Sequence, residues 1–147
     1  MTIYTVKVDD LGTKHWYQNN KLRRTDGPAI EGSDGSKEWW LDEKLHRTNG
    51  PAVEYADGGK HWYVDGKPHR VDGPAIEDAN GTKCWYLDGK PHRVDGPALE
   101  YASGGKHWYL DGKELTQAQW LEAVKPKPSC VGKVVEVDGV KYRLVAA

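Results

Sequence analysis

Phenylalanine is missing from this chain of 147 residues, and methionine occurs once. Hydrophobic residues make up only 37% and mean hydropathy is −0.80, so a thick globular core is not expected. No stretch is apolar for long enough to cross a bilayer as a helix, and membrane insertion of that kind is not expected. Neither sign of charge dominates, with 21 basic residues against 22 acidic ones. That balance argues against a broad surface for bulk nucleic acid or anionic lipid, while leaving room for a local basic pocket. Cysteine is scarce. Cys84 and Cys130 form no CxxC pair, and the chain opens on no signal-like segment. A reducing, soluble compartment, the cytoplasm, is the expected location. GxSxG, HExxH, a P-loop and paired Cys/His metal spacings are all absent. The chain therefore reads as a non-enzyme with no metal and no cofactor.

What is abundant is aromatic and periodic. Seven Trp and eight Tyr carry most of the large apolar mass. The doublet Trp16-Tyr17 returns as Trp39-Trp40, Trp62-Tyr63, Trp85-Tyr86 and Trp108-Tyr109, each step being 23 residues. Between doublets stands a second block, Arg23-Arg24-Thr25-Asp26-Gly27-Pro28-Ala29, which becomes His46-Arg47-Thr48-Asn49-Gly50-Pro51-Ala52 and then His69-Arg70-Val71-Asp72-Gly73-Pro74-Ala75 and His92-Arg93-Val94-Asp95-Gly96-Pro97-Ala98. A fixed period of this length means stacked supersecondary units that bury their apolar faces against one another.

Within the third unit two β-compatible runs stand out, Lys60–Val64 and Ala75–Asp78, bounded by the turn signals Asp65-Gly66 and Asp57-Gly58-Gly59. An odd number of strands per unit would invert every second unit of a meander. Two strands per unit is thus the expectation, with Lys67-Pro68-His69-Arg70 as an ordered connection. The fold class that follows is mainly β: an elongated single-layer antiparallel β-meander of about ten to thirteen strands, with a short helix and a C-terminal β-hairpin.

The ends differ from the array. Residues 1–12 supply a strand, Thr2–Val8, expected to cap the sheet edge, and residues 13–115 form the repeat sheet. Residues 116–125 read as a helix with a Thr116/Gln119 capping box, a Leu115–Trp120 staple and an apolar face of Trp120, Leu121 and Val124. Residues 126–147 hold a linker, Lys125-Pro126-Lys127-Pro128 at its start, and a hairpin turning at Asp138-Gly139. That register pairs Val135 with Tyr142 and Glu136 with Lys141.

Two rows of residues are candidate sites. Trp and Tyr of each doublet point to opposite faces of a strand, so one face carries Tyr17, Trp40, Tyr63, Tyr86 and Tyr109. Such rings can stack a ligand or pack against a protein; the bland alternative is sheet packing. The doublets are also similar to choline- and glucan-binding repeats, although those lack the HRxDGPA block. The second row is His46, Arg47, His69, Arg70, His92 and Arg93, whose guanidinium forks suit phosphate or carboxylate. Here the bland alternative is an ion pair with an acid of the repeat, such as Asp72 or Glu77.

The pattern of aromatic strand, Asp65-Gly66-Lys67-x-His69 turn, second strand and Asp57-Gly58 return resembles the MORN repeat; Asp88, Gly89, Lys90 and His92 match it again. The family usually has Gly after the turn His, where Arg47, Arg70 and Arg93 stand here. The HRxDGPA variant is similar to repeats of tailed-phage and large-DNA-virus proteins. This resemblance implies a scaffold or binding module, such as an antitoxin-like or lipid-associated protein. The expected function is a non-catalytic phage protein that binds and inhibits a host defence or toxin protein in the host cytoplasm. The alternatives are a sponge for small nucleotide signals, a glycan-binding module and a structural scaffold. The expected partner is a protein, with no membrane, and the expected assembly is a homodimer that covers the aromatic row the chain leaves open.

Overall fold

The 23-residue unit closes two hydrogen-bonded ladders, and the change from one to the other falls on its tryptophan. The computed structural model describes residues 2–126, 134–137 and 140–143. Twelve strands form one antiparallel sheet in chain order: Thr5–Val8, Lys14–Gln18, Ile30–Glu31, Lys37–Glu38, Val53–Glu54, Lys60–His61, Ile76–Glu77, Lys83–Cys84, Leu99–Glu100, Lys106–Leu110 and Lys113–Leu115, with Lys21–Leu22 paired to Lys14–Gln18 beside that path. The chain is mainly β, and the meander expected from the repeat is the observed topology.

The expected strand Lys60–Val64 does not keep one partner. Lys60–His61 pairs with Val53–Glu54 and Ile76–Glu77, whereas Tyr63–Val64 pairs with Lys67–Pro68. Trp62 joins the two ladders: its N–H donates to Ala75 O at 2.7 Å and its carbonyl accepts from His69 N at 3.1 Å. Lys67–Pro68 is therefore a strand, not the connection predicted from the sequence. It also reaches the next unit, since Arg70 N donates to Tyr86 O at 3.1 Å and Gly89 N to Pro68 O at 2.9 Å. The parity argument survives because each unit adds two strand segments to each ladder.

Turn chemistry sets both ladders. Asp65 and Gly66 take φ of 50° and 78°, the paired positive values of a two-residue hairpin turn whose twist matches its strands. In the second unit Glu43 occupies the glycine's place at φ 67°, a strained position for a residue with a Cβ. The return turn is held by side chain and backbone together, Asp57 Oδ1 accepting from Gly59 N at 2.9 Å.

The core is as thin as the composition requires. Among the described residues only small ones are fully covered, Ala29, Ala52, Ala75 and Ala98 at 0% exposure, and Val53, Cys84 and Leu99 are also buried. At the N-terminal edge the capping strand starts at Thr5, not Thr2, and pairs with Lys14–Gln18. At the other end the helix Gln117–Val124 has the capping box read from its sequence, Thr116 and Gln119 exchanging hydrogen bonds. Its expected apolar face is narrower: Trp120 is buried and Val124 half-buried, but Leu121 is 49% exposed. This helix is too short to cross a membrane, and no described helix is long and apolar enough to do so. Val134–Val137 and Val140–Arg143 pair in the predicted register, Val135 with Tyr142 and Glu136 with Lys141. The Asp138-Gly139 turn, Lys127, Pro128 and Cys130 lie outside the described residues.

Candidate functional site

Strand alternation separates the sheet into two unlike faces. The register sets Lys14, Glu31, Lys37, Glu54, Lys60, Glu77, Lys83, Glu100 and Lys106 side by side across one face. Each lysine stands opposite glutamate, a favourable cross-strand pairing repeated down the array. Two residues along from Lys14, Lys37, Lys60 and Lys83, on the same face, come Trp16, Trp39, Trp62 and Trp85.

Each of these tryptophans lies under the arginine of its own block. The guanidinium carbons of Arg24, Arg47, Arg70 and Arg93 stand 4.4, 3.8, 3.9 and 3.7 Å from the ring centroids of Trp16, Trp39, Trp62 and Trp85. Arg70 Nε donates to Asp72 Oδ1 at 3.0 Å, and its Nη1 donates to Pro74 O at 3.2 Å and Glu77 Oε1 at 2.7 Å. Arg93 repeats this with Asp95, Pro97 and Glu100, and Arg24 with Asp26, Pro28 and Glu31. The glycine of the block is part of the clamp, because a Cβ on Gly73 would stand 3.0 Å from Arg70 Cζ. HRxDGPA is thus a sequence for folding an arginine over a tryptophan. The invariant Gly before Pro was the signal for it, unread from the sequence because its neighbour in space is three residues back.

The histidines of the candidate anion row link neighbouring units. His46 Nδ1 lies 2.9 Å from Asp65 Oδ1 and 3.2 Å from the Asp65 amide nitrogen, and His69 meets Asp88 in the same way at 2.9 and 3.1 Å. His92 meets Asp111 at 2.9 and 3.0 Å. An unprotonated Nδ1 accepts from the amide, and a protonated one donates to the carboxylate. Arg23 does this work in the first unit through Asp42 at 3.0 Å, although its buried Nε has no partner there. The His-Arg row is brought together as a row, with Nε and Nη1 of each arginine and Nδ1 of each histidine facing intramolecular partners.

The opposite face carries the other candidate row. Across it the register aligns His15, Ile30, Glu38, Val53, His61, Ile76, Cys84, Leu99 and His107. Tyr17, Trp40, Tyr63, Tyr86 and Tyr109 stand on the same face, opposite Leu22, Leu45, Pro68, Pro91 and Glu114, and all five rings are half-buried. Tyr55 and Tyr101 add rings edge-on to His61 and His107, at 4.8 and 5.7 Å between centroids. Burial pushes the phenol pKa values of Tyr63 and Tyr86 up, and raises that of the Cys84 thiol. Among the described residues no cluster of three or more His, Cys, Asp or Glu is arranged to hold a metal ion.

No protein-family model matches this chain, and no curated protein matches it significantly.

Proposed function

We propose that the chain is a non-catalytic repeat module that binds a protein partner through its tyrosine face. One observation carries this reading, the contrast between the faces. On the tryptophan face lysine and glutamate alternate in register, the glutamates accept from the clamped arginines, and a guanidinium lies over the indole, so that face is strongly charged. On the tyrosine face five half-buried rings stand among Leu, Pro, Val and Ile, with Glu38, Glu114 and three histidines between them, a broad and largely apolar surface rich in the residues that anchor interfaces. The positive-φ Asp65-Gly66 turn followed by Lys67 and His69 supports grouping the chain with MORN-like repeats. With that grouping goes the narrower reading, a phage protein that neutralises a host defence or toxin protein.

The test is cross-linking and pull-down from bacterial lysate with wild type and Tyr63→Ser/Tyr86→Ser, both checked for equal thermal stability. Loss of one discrete partner in the variant supports the proposal. Equal recovery by both proteins removes the tyrosine face from it. Recovery of the chain's own second copy, with a dimer in light scattering, makes the partner a twin subunit.

A further inference from the structure

The tryptophan face is not flat. Consecutive HRxDGPA loops leave a groove between them with an indole and an aliphatic side chain inside. Trp39 and Leu41 line the first, Trp62 and Val64 the second, Trp85 and Leu87 the third, and their volumes are about 600, 670 and 350 Å³. Exposed Val71 and Val94 stand at the lips, at 83% and 59% exposure.

A fourth groove of the same design is filled by the chain itself. By the 23-residue period Thr116 falls where the next arginine would stand, so the helix Gln117–Val124 replaces the fifth loop. From that helix Trp120, 7% exposed, reaches back and donates its Nε1–H to Arg93 O at 2.8 Å. The matching carbonyls of Arg24, Arg47 and Arg70 receive no such bond from the described residues. The filled groove therefore displays the guest that suits the open ones: a flat ring with an N–H donor.

The spacing of the grooves selects the chain that could carry such guests. Two strands per unit set equivalent points about 9.5 Å apart. A polyproline II segment rises about 3.1 Å per residue with three residues per turn, so every third side chain recurs after about 9.3 Å on the same side. An extended β-strand repeats its facing side chains after about 6.8 Å, which fits no simple multiple of the groove period. Sheet twist turns each groove against the last, and a polyproline II segment can follow because its backbone has no internal hydrogen bonds to break.

We propose that the open grooves are a docking track for a partner segment in polyproline II conformation that seats an indole at every third residue, each donating to the carbonyl of Arg24, Arg47 or Arg70. Apart from Trp40, which also borders the first groove, this surface is separate from the tyrosine face and stands or falls independently of it.

The probes are a capped peptide of repeated Trp-Pro-Pro, one of repeated Trp-Pro-Pro-Pro and one of repeated Ala-Pro-Pro, titrated by calorimetry into the full chain. Matched spacing lets adjacent grooves act together, so the Trp-Pro-Pro peptide is expected to bind at least about tenfold more tightly than the Trp-Pro-Pro-Pro one, with no heat from Ala-Pro-Pro. Val71→Glu/Val94→Glu, at exposed lips, is expected to weaken Trp-Pro-Pro binding without moving the melting temperature. Tyr63→Ser/Tyr86→Ser is expected to bind it as wild type does. Equal affinity for the two tryptophan spacings, absence of binding, or indifference to the lip substitutions overturns the proposal, whatever becomes of the tyrosine face.

Discussion

Replacing Arg70 by methionine keeps the aliphatic stem over Trp62 and removes the guanidinium. The cost can be built from its contacts. The bond to Asp72 joins an arginine side chain 23% exposed to a carboxylate 85% exposed. Solvent screening leaves such a pair with about 0–1 kcal/mol. Glu77 is better shielded, its carboxylate 36% exposed and 2.7 Å from Nη1. A charged hydrogen bond of that kind contributes about 1.5–3 kcal/mol. Stacking over Trp62 at 3.9 Å adds about 1 kcal/mol in a half-covered site. Methionine recovers the stem's packing, and Glu77 partly rehydrates, so the net loss should be about 3 kcal/mol, below the simple sum. Urea unfolding followed by tryptophan fluorescence measures it. Arg70→Lys should recover less than half, because an ammonium cannot serve Asp72, Pro74 O and Glu77 together as a planar fork does. The second unit supplies an internal control: Arg47 faces neutral Asn49 at 3.3 Å, and Asn49→Asp should stabilise by up to about 1 kcal/mol. A change below about 0.5 kcal/mol for Arg70→Met would refute the clamp and return the arginine row to ligand binding.

Thr116→Ala removes the capping box and should cost about 0.5–2 kcal/mol, seen as loss of helical circular dichroism before the sheet melts; simultaneous melting at the wild-type midpoint would contradict it. Burial raises the folded-state pKa of Tyr63 and Tyr86 above the unfolded phenol value of about 10, so the folded chain holds these protons more tightly and their contribution, complete below that pH, is lost as pH rises through the folded pKa. Tyr63→Phe/Tyr86→Phe should therefore flatten the alkaline limb of the stability curve, and an unchanged limb counts against burial of these phenols. His69→Ala removes a link between units, not within one, and should broaden or split the unfolding transition; a single transition of unchanged sharpness would show that the histidine is dispensable for coupling.

Much of this architecture was legible because it repeats. The 23-residue period exposed the meander, Asp-Gly marked the hairpin turns, and Thr116 with Gln119 marked the helix start. The second ladder was not legible. Reading Lys60–Val64 as one strand with constant partners hid the exchange at Trp62, and Pro68 disguised a strand whose missing N–H falls where the ladder needs no donor from it. The fate of the arginines was half legible: Asp72 and Glu77 were the right acids, but the stack on Trp62 and the space left by Gly73 arise only once the loop folds back.

The contacts divide by range, and that division explains how a chain with so little core holds together. Arginine meets partners two, four and seven residues ahead, all inside its own unit. The histidine of the block, His46, His69 or His92, meets an aspartate 19 residues ahead in the next unit, and the Arg70–Tyr86 and Gly89–Pro68 bonds run in the same direction. Stability of such an array is a sum of intrinsic and nearest-neighbour terms. The clamp belongs to the first kind, and the histidine link and shared ladders to the second. A clamp inside each unit keeps the guanidinium groups of Arg47, Arg70 and Arg93 on partners of their own unit, and the gap between consecutive blocks is where the grooves lie. At the last unit no arginine block follows Trp108, so both kinds of support end together, and the helix closes the array by laying Trp120 against Arg93 O. The cap is thus the place where the chain uses on itself the recess it repeats elsewhere.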